Sequence, residues 1–227
     1  VGKLKPNAVV LVATIRALKM HGEGNIEKGL ANLEKHIENV QKFNLPLVVT
    51  LNRFNEDKQK DIDIVMKRCN ELKVNFVVAD PWNKGGEGCL ELGEKVLEII
   101  DGKNFKFLYD VNNHIKDKIE KISKEIYGAD GVEYSKDAEE HLKRIENLGL
   151  NMLPICMAKT QNSLSDNSKL LGRPTGFKVT IKDLKISAGA GFLVVLAGNI
   201  MTMPGLPVKP NAESIDVDDD GKISGLI

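Results

Sequence analysis

No G-x-x-x-x-G-K-[ST] loop occurs anywhere in the chain, so the usual backbone cradle for nucleotide phosphates is missing. No strand-like segment runs into G-x-G-x-x-G either, which removes an unrelated Rossmann-like dehydrogenase. No apolar run approaches the roughly 20 residues that span a bilayer, and the opening residues carry no signal-peptide pattern. Cysteine is scarce: Cys69, Cys89 and Cys156 lie far apart with no C-x-x-C spacing. They read as buried thiols in a reducing compartment, not as a disulfide framework or a zinc site. Excess charge is lacking too. Lys plus Arg number 32 and Asp plus Glu 32, so nothing draws the chain to a nucleic acid over long range. Aromatic residues make up only 5% of the chain, with a single tryptophan, so the place of that tryptophan is informative.

What is present suits one or two globular domains: 227 residues, 42% hydrophobic and 28% charged. AVVLVA at 8–13, LPLVVTLN at 45–52, VNFVVAD at 74–80 and KFLYD at 106–110 read as strands. Between them, Leu30, Leu33, Ile37, Val40 and Phe43 share one helix face, and Ile62, Val65, Met66 and Cys69 another. Further helices are expected over about 87–100, from Ile115 through Ile126, and over 136–148. Apolar strands alternating with helices predict an α/β fold with a parallel sheet covered on both faces. Beyond LPICMA, a fifth strand, FKVTIKDLKIS and GFLVVLAGN follow without a helix between them. The expected division is an α/β portion over 1–127 and a smaller α+β or β-rich lobe over 128–227. The start at Val-Gly, almost directly before a core strand, predicts a fragment or a processed chain.

Ligands of open α/β sheets bind outside the carboxyl ends of the strands. The second strand ends in Asn52-Arg53-Phe54-Asn55 and the third in Asp80-Pro81-Trp82-Asn83-Lys84-Gly85-Gly86, so both segments fall on one edge. Phe54 and Trp82 either clamp a flat heterocycle or plug the ends of the core. Gly85-Gly86 either offers free N–H groups to an anion or marks a turn. Arg16 and Lys19 follow the first strand, and either meet a carboxylate or phosphate or form a solvated helix start. Lys159, Thr160, Gln161 and Ser163 follow the fifth strand, with the same two readings. The turn-rich stretches TQNSLSDN, GRPTGF, SAGAGF and MTMPGLP suggest backbone approaching ligand in the last third. The four histidines show no metal spacing. Asp216, Asp218, Asp220 and Gly221 mimic the start of an EF-hand loop, but Ile227 stands where the closing Glu belongs, so a β-hairpin turn is expected.

The segments AVVLVATIRALKMHG, GLANLEKHIEN, LVVTLNRFNED, DPWNKGGEG, KFLYD, KEIYGADGVEY, MLPICMAKTQNSLSD, GRPTGF, SAGAGF, MTMPGLP and IDVDDDGKISGL together resemble the formate–tetrahydrofolate ligases. The resemblance runs along the whole chain and is to the C-terminal portion of that larger family. Its P-loop belongs to an N-terminal stretch not represented in this sequence. The implied fold is the last part of a P-loop-NTPase-like parallel-sheet domain followed by the smaller lobe. The implied activity is ATP-dependent ligation of formate to tetrahydrofolate through formyl phosphate, giving 10-formyltetrahydrofolate.

The resemblance further implies that the folate ring stacks between Phe54 and Trp82. Asn52, Gly85, Gly86, Thr160, Gln161 and Pro204 are carried as further binding candidates, with no catalytic residue and no metal ligand assigned. It implies ATP and Mg²⁺, with a monovalent cation as a further option. It implies a cytoplasmic homo-oligomer, typically a homotetramer, with no nucleic acid or membrane as partner. The missing phosphate loop would come from the N-terminal portion of the same protein. Alternatively the chain is a non-catalytic folate-binding subunit that needs a P-loop partner chain. The sequence departs from the family after KMHG, where only Glu23 to Lys28 separate that motif from the next helix, and at Asn44, where glycine is common.

Overall fold

A computed structural model describes residues 4–100, 105–200 and 208–225. Its first unit runs β1 (Val9–Ala13), α1 (Ile15–His21), α2 (Ile26–Gln41), β2 (Leu47–Asn52), α3 (Gln59–Glu71) and β3 (Asn75–Ala79). The three strands are parallel in the order β1-β2-β3. The central strand β2 is buried on both faces, which is why its sequence is a continuous apolar run rather than an alternating one. One face packs against Ile15 and Leu18 of α1, Leu30, Leu33 and Ile37 of α2, and Ile62, Val65 and Cys69 of α3. Strand β1 forms the edge, with Val10 39% and Val12 60% exposed.

After β3 the chain makes one helical turn, α4 (Pro81–Lys84), then a 3-10 turn over Gly85–Cys89, then α5 (Leu90–Ile99). Helix α5 lies against β3 and β2, yet none of its residues is fully buried.

The second unit comprises α6 (Ile115–Ile122), a π-helical turn (Ser123–Tyr127), β4 (Gly131–Tyr134), α7 (Lys136–Asn147), β5 (Ile155–Ala158), β6 (Lys178–Ser187) and β7 (Phe192–Ala197). Its sheet has the order β4-β6-β7-β5. The β6/β7 pair is antiparallel, as expected of two strands with no helix between them, while β4 and β5 each pair in parallel. Ile115, Ile119, Leu142 and Ile145 cover this sheet through Val179, Ile181, Leu193 and Val195. The chain is therefore mixed α/β with parallel strands and helices. A small hairpin, β8 (Asp216–Val217) with β9 (Ile223–Ser224), follows. Asp218 Oδ1 accepts from the backbone N–H groups of Asp220 and Lys222, at 3.1 and 2.8 Å, so it serves the expected turn.

One expectation is corrected. KFLYD at 106–110 forms no strand. Its aromatic residues hold it instead: Phe105 stacks on Phe43, Phe107 meets Phe105 edge-on at 4.8 Å, and Tyr109 Oη accepts from Ile155 N at 2.9 Å. Once side chains anchor a segment, its backbone can run free of any ladder. The fifth strand, β5, lies in the second sheet, where it pairs with β7.

The two units meet along the polar side of α2. Asn32 Nδ2 donates to Gly172 O at 2.8 Å, Lys35 Nζ to Glu125 O at 2.7 Å, and Asn39 Nδ2 to Ile126 O at 2.8 Å. Arg173 closes the same seam with two bonds to the Glu38 carboxylate, at 2.7 and 2.8 Å. A second buried cation, Lys118, is 0% exposed, and its Nζ donates to Val111 O, Asn151 O and Leu153 O at 3.1, 2.5 and 2.9 Å. Three carbonyls replace the water that burial removes, as an interior ammonium requires.

Candidate functional site

The carboxyl ends of β2 and β3 lie side by side, with Asn52 in register with Ala79. Arg53 N extends the ladder by donating to Ala79 O at 2.9 Å. Beyond this point both strands stop pairing and splay into loops, as the strand-end argument expects. The β2 loop turns tightly because the Asp57 carboxylate accepts from Phe54 N at 2.9 Å. The β3 loop is capped by Asp80, whose Oδ1 accepts from Asn83 N at 3.3 Å and from Asn83 Nδ2 at 2.8 Å. Asn83 Nδ2 also donates to Asn55 Oδ1 at 2.8 Å, tying the two loops together. Phe54 and Trp82 therefore stand on loops that are hydrogen-bonded to each other.

The two aromatics differ in setting. Trp82 is 77% exposed, which excludes the plug reading for this residue. Phe54 is half-buried, and the Arg16 guanidinium carbon lies 5.6 Å from its ring centroid. Asn52 is also half-buried, at the last ladder position of β2.

The glycines after Trp82 have distinct duties. Gly85 adopts φ 57° and ψ −138°, a conformation that side-chain-bearing residues avoid. Gly88 sits so close to Asp80 that a Cβ there would lie 2.1 Å from Asp80 O, and Gly88 O accepts from Asp80 N at 3.0 Å. Gly86 has open space around it and is exposed.

Lys19, on the same edge, is committed: its Nζ lies 2.6 Å from the buried Asp61 carboxylate.

Thr160 and Gln161 do not stand on the β2/β3 edge. They line a cavity of about 360 Å³ between α2 and the loop after β5, together with His21, His36, Tyr127 and Lys159. Lys159 Nζ donates to Thr160 O at 2.9 Å and to Ser163 O, and lies 5.0 Å from the Tyr127 ring centroid. Burial lowers the Lys159 pKa, partly offset by Asp166, and raises the Tyr127 phenol to about 12. Burial also lowers both histidines, with His21, Lys159 and Lys35 adding to the effect on His36. His21 Nδ1 accepts from Gly172 N at 3.2 Å. The neighbouring SLSD stretch is wound on its own hydroxyls: Ser165 N and Asn167 N donate to Ser163 Oγ and Ser165 Oγ at 2.9 and 3.0 Å. Its polar residues thus serve the loop's own backbone, where the sequence suggested a ligand.

Pro204, with the rest of MTMPGLP, lies outside the described residues. Among the described residues there is no cluster of three or more His, Cys, Asp or Glu that could hold a metal ion. Also among them, no helix is long and apolar enough to cross a membrane. Sequence reasoning singled out Arg16 but not its contact with Phe54, and it missed the Asn55–Asn83 tie. The β1-β2-β3 order was the signal available for both, since it brings all three strand ends to one edge.

The family model described as formate–tetrahydrofolate ligase matches residues 1–227, the whole chain.

Proposed function

The chain belongs to the formate–tetrahydrofolate ligase family, a group of carbon–nitrogen ligases of one-carbon metabolism, and from that premise we propose that it supplies the folate-binding portion of such an enzyme. The observation that carries this reading is the pairing of two aromatic-bearing loops at adjacent strand ends, tied by Asn83 and Asn55. Phe54 and Trp82 take the flat pterin between them. The clamp excludes water from the ring faces and fixes the direction of the amine that attacks the activated formyl group. Asn52 and the Gly85-Gly86 backbone border the same opening.

ATP and Mg²⁺ supply the phosphoryl chemistry that activates formate, and a monovalent cation is a further option. The described residues hold no cluster of three or more metal-ligating side chains, and no phosphate loop occurs in this sequence. We assign that work to an N-terminal P-loop portion of the same protein. The open edge of β1 favours such a neighbour, because an apolar strand with exposed Val10 and Val12 is suited to one more parallel partner. The same edge equally serves a separate P-loop chain, in which case this chain is a folate-binding subunit of a homo- or hetero-oligomer. Thr160 and Gln161 are assigned to a second pocket, for the nucleotide base or sugar.

Titration of tetrahydrofolate against the fluorescence of Trp82, the sole tryptophan, tests the clamp. Saturable quenching supports it. An unchanged tetrahydrofolate affinity after Trp82→Ala, measured by calorimetry, removes it.

A further inference from the structure

We propose that Arg16 is a positioning residue that acts through Phe54 and tunes the clamp toward electron-rich rings, an inference that rests on the folate-clamp reading above. Arg16 follows β1, Phe54 follows β2 and Trp82 follows β3, in a sheet ordered β1-β2-β3. The order puts the chain segments that carry the arginine and the tryptophan on opposite sides of the one that carries Phe54. Arg16 Cζ lies 5.6 Å from the Phe54 centroid, within the range of a cation–π contact. That contact occupies one face of the ring and leaves the other for a flat ligand.

The start of α1 fixes this arrangement. Thr14 Oγ1 caps the helix by accepting from Ala17 N at 3.1 Å, and the buried Ile15 and Leu18 anchor the residues around Arg16. Arg16 makes no salt bridge among the described residues, whereas the nearby Lys19 is held by Asp61.

A cation on one face of a benzene ring draws π-density toward itself. The opposite face becomes less negative and stacks better on an electron-rich partner. A tetrahydropterin is such a partner, and the fully oxidised pterin of folic acid is poorer in electrons. Arg16 therefore contributes preference for the reduced cofactor, beyond simple placement of Phe54.

The test compares tetrahydrofolate and folic acid, titrated anaerobically against Trp82 fluorescence, in the full chain and its Arg16→Met and Arg16→Lys variants. Arg16→Met keeps the stem and removes the charge. It is expected to weaken tetrahydrofolate binding roughly three- to fivefold, with folic acid unchanged within about twofold. Arg16→Lys, which keeps a cation, should restore most of the preference. In a Phe54→Ala background Arg16→Met should have no further effect. Equal losses for both ligands, no loss for either, or the same loss without Phe54 would each overturn the proposal while the clamp stands. If the unmodified chain quenches with neither ligand, the clamp reading itself falls and takes this inference with it.

Discussion

Asn83 and Asn55 join side chain to side chain at 2.8 Å across the open edge of the first sheet. The bond links two loops that share no ladder beyond Arg53, so it sets how far Phe54 can stand from Trp82. Asn55→Ala removes the tie and leaves the Asp80 cap on Asn83 intact. We expect tetrahydrofolate affinity to fall about fivefold, the worth of one net hydrogen bond. Fluorescence titration of the variant checks this, and an affinity equal to that of the parent would mean the loops are held by other means.

Trp82 should matter for binding and hardly at all for folding. At 77% exposure its removal leaves no cavity. Trp82→Ala is expected to weaken tetrahydrofolate binding by roughly 10- to 100-fold, as loss of an aromatic stacking platform does. Its urea midpoint should stay with that of the parent. A large drop in that midpoint would show that the indole is a core element after all.

The glycines after Trp82 make a graded series. Gly86→Ala enters open space and should be silent in both stability and binding. Gly85→Ala forces a side chain into a positive-φ conformation and should cost about 1–3 kcal/mol. Gly88→Ala drives a Cβ to 2.1 Å from Asp80 O, so the loop must open and the Asp80 cap must be lost. Denaturant melts would rank the three, and any order other than Gly86, then Gly85, then Gly88 would contradict the loop geometry.

Acid should weaken the seam between the two units. His21 and His36 have folded pKa values below the ordinary 6.5, so the unfolded chain binds protons more readily than the folded one. The stability tied to the neutral rings is fully present above pH 6.5 and is lost as pH falls through the lowered folded values. Urea midpoints should therefore drop between about pH 7 and pH 5, and His36→Asn should flatten part of that slope. An unchanged slope in the variant would place the acid sensitivity elsewhere.

Thiol reactivity should separate the three cysteines. Cys69 is buried, and burial lifts its thiol to about 11, while Cys156 is exposed. A disulfide reagent should modify Cys156 quickly and Cys69 only on unfolding. Peptide mapping after a short exposure checks the order.

Much of this was legible in the sequence, for definite reasons. β2 could be recognised because a strand buried on both faces must be apolar throughout, and the strand-end rule then led to Phe54 and Trp82. KFLYD misled because a short aromatic stretch has the composition of a strand whether its backbone pairs or its rings do the anchoring. The setting of Thr160 and Gln161 was not legible, because nothing local to LPICMA says which ladder it joins; β7, later in the chain, decides that. Lys118 sits among Ile115, Ile119 and Ile122 on one helical stripe, a pattern that hints at burial, but its three carbonyl partners come from two separate loops. The Arg16–Phe54 contact likewise depends on strand order.

Helix α2 faces both ways, with leucines and isoleucines toward the first sheet and Asn32, Lys35 and Asn39 toward backbone carbonyls of the second unit. Pulling the two units apart would leave the carbonyl oxygens of Gly172, Glu125 and Ile126 without the donors that this helix supplies. The two sheets should accordingly melt in a single transition, and amide exchange in β2 and in β6 should report the same opening energy despite their separate cores.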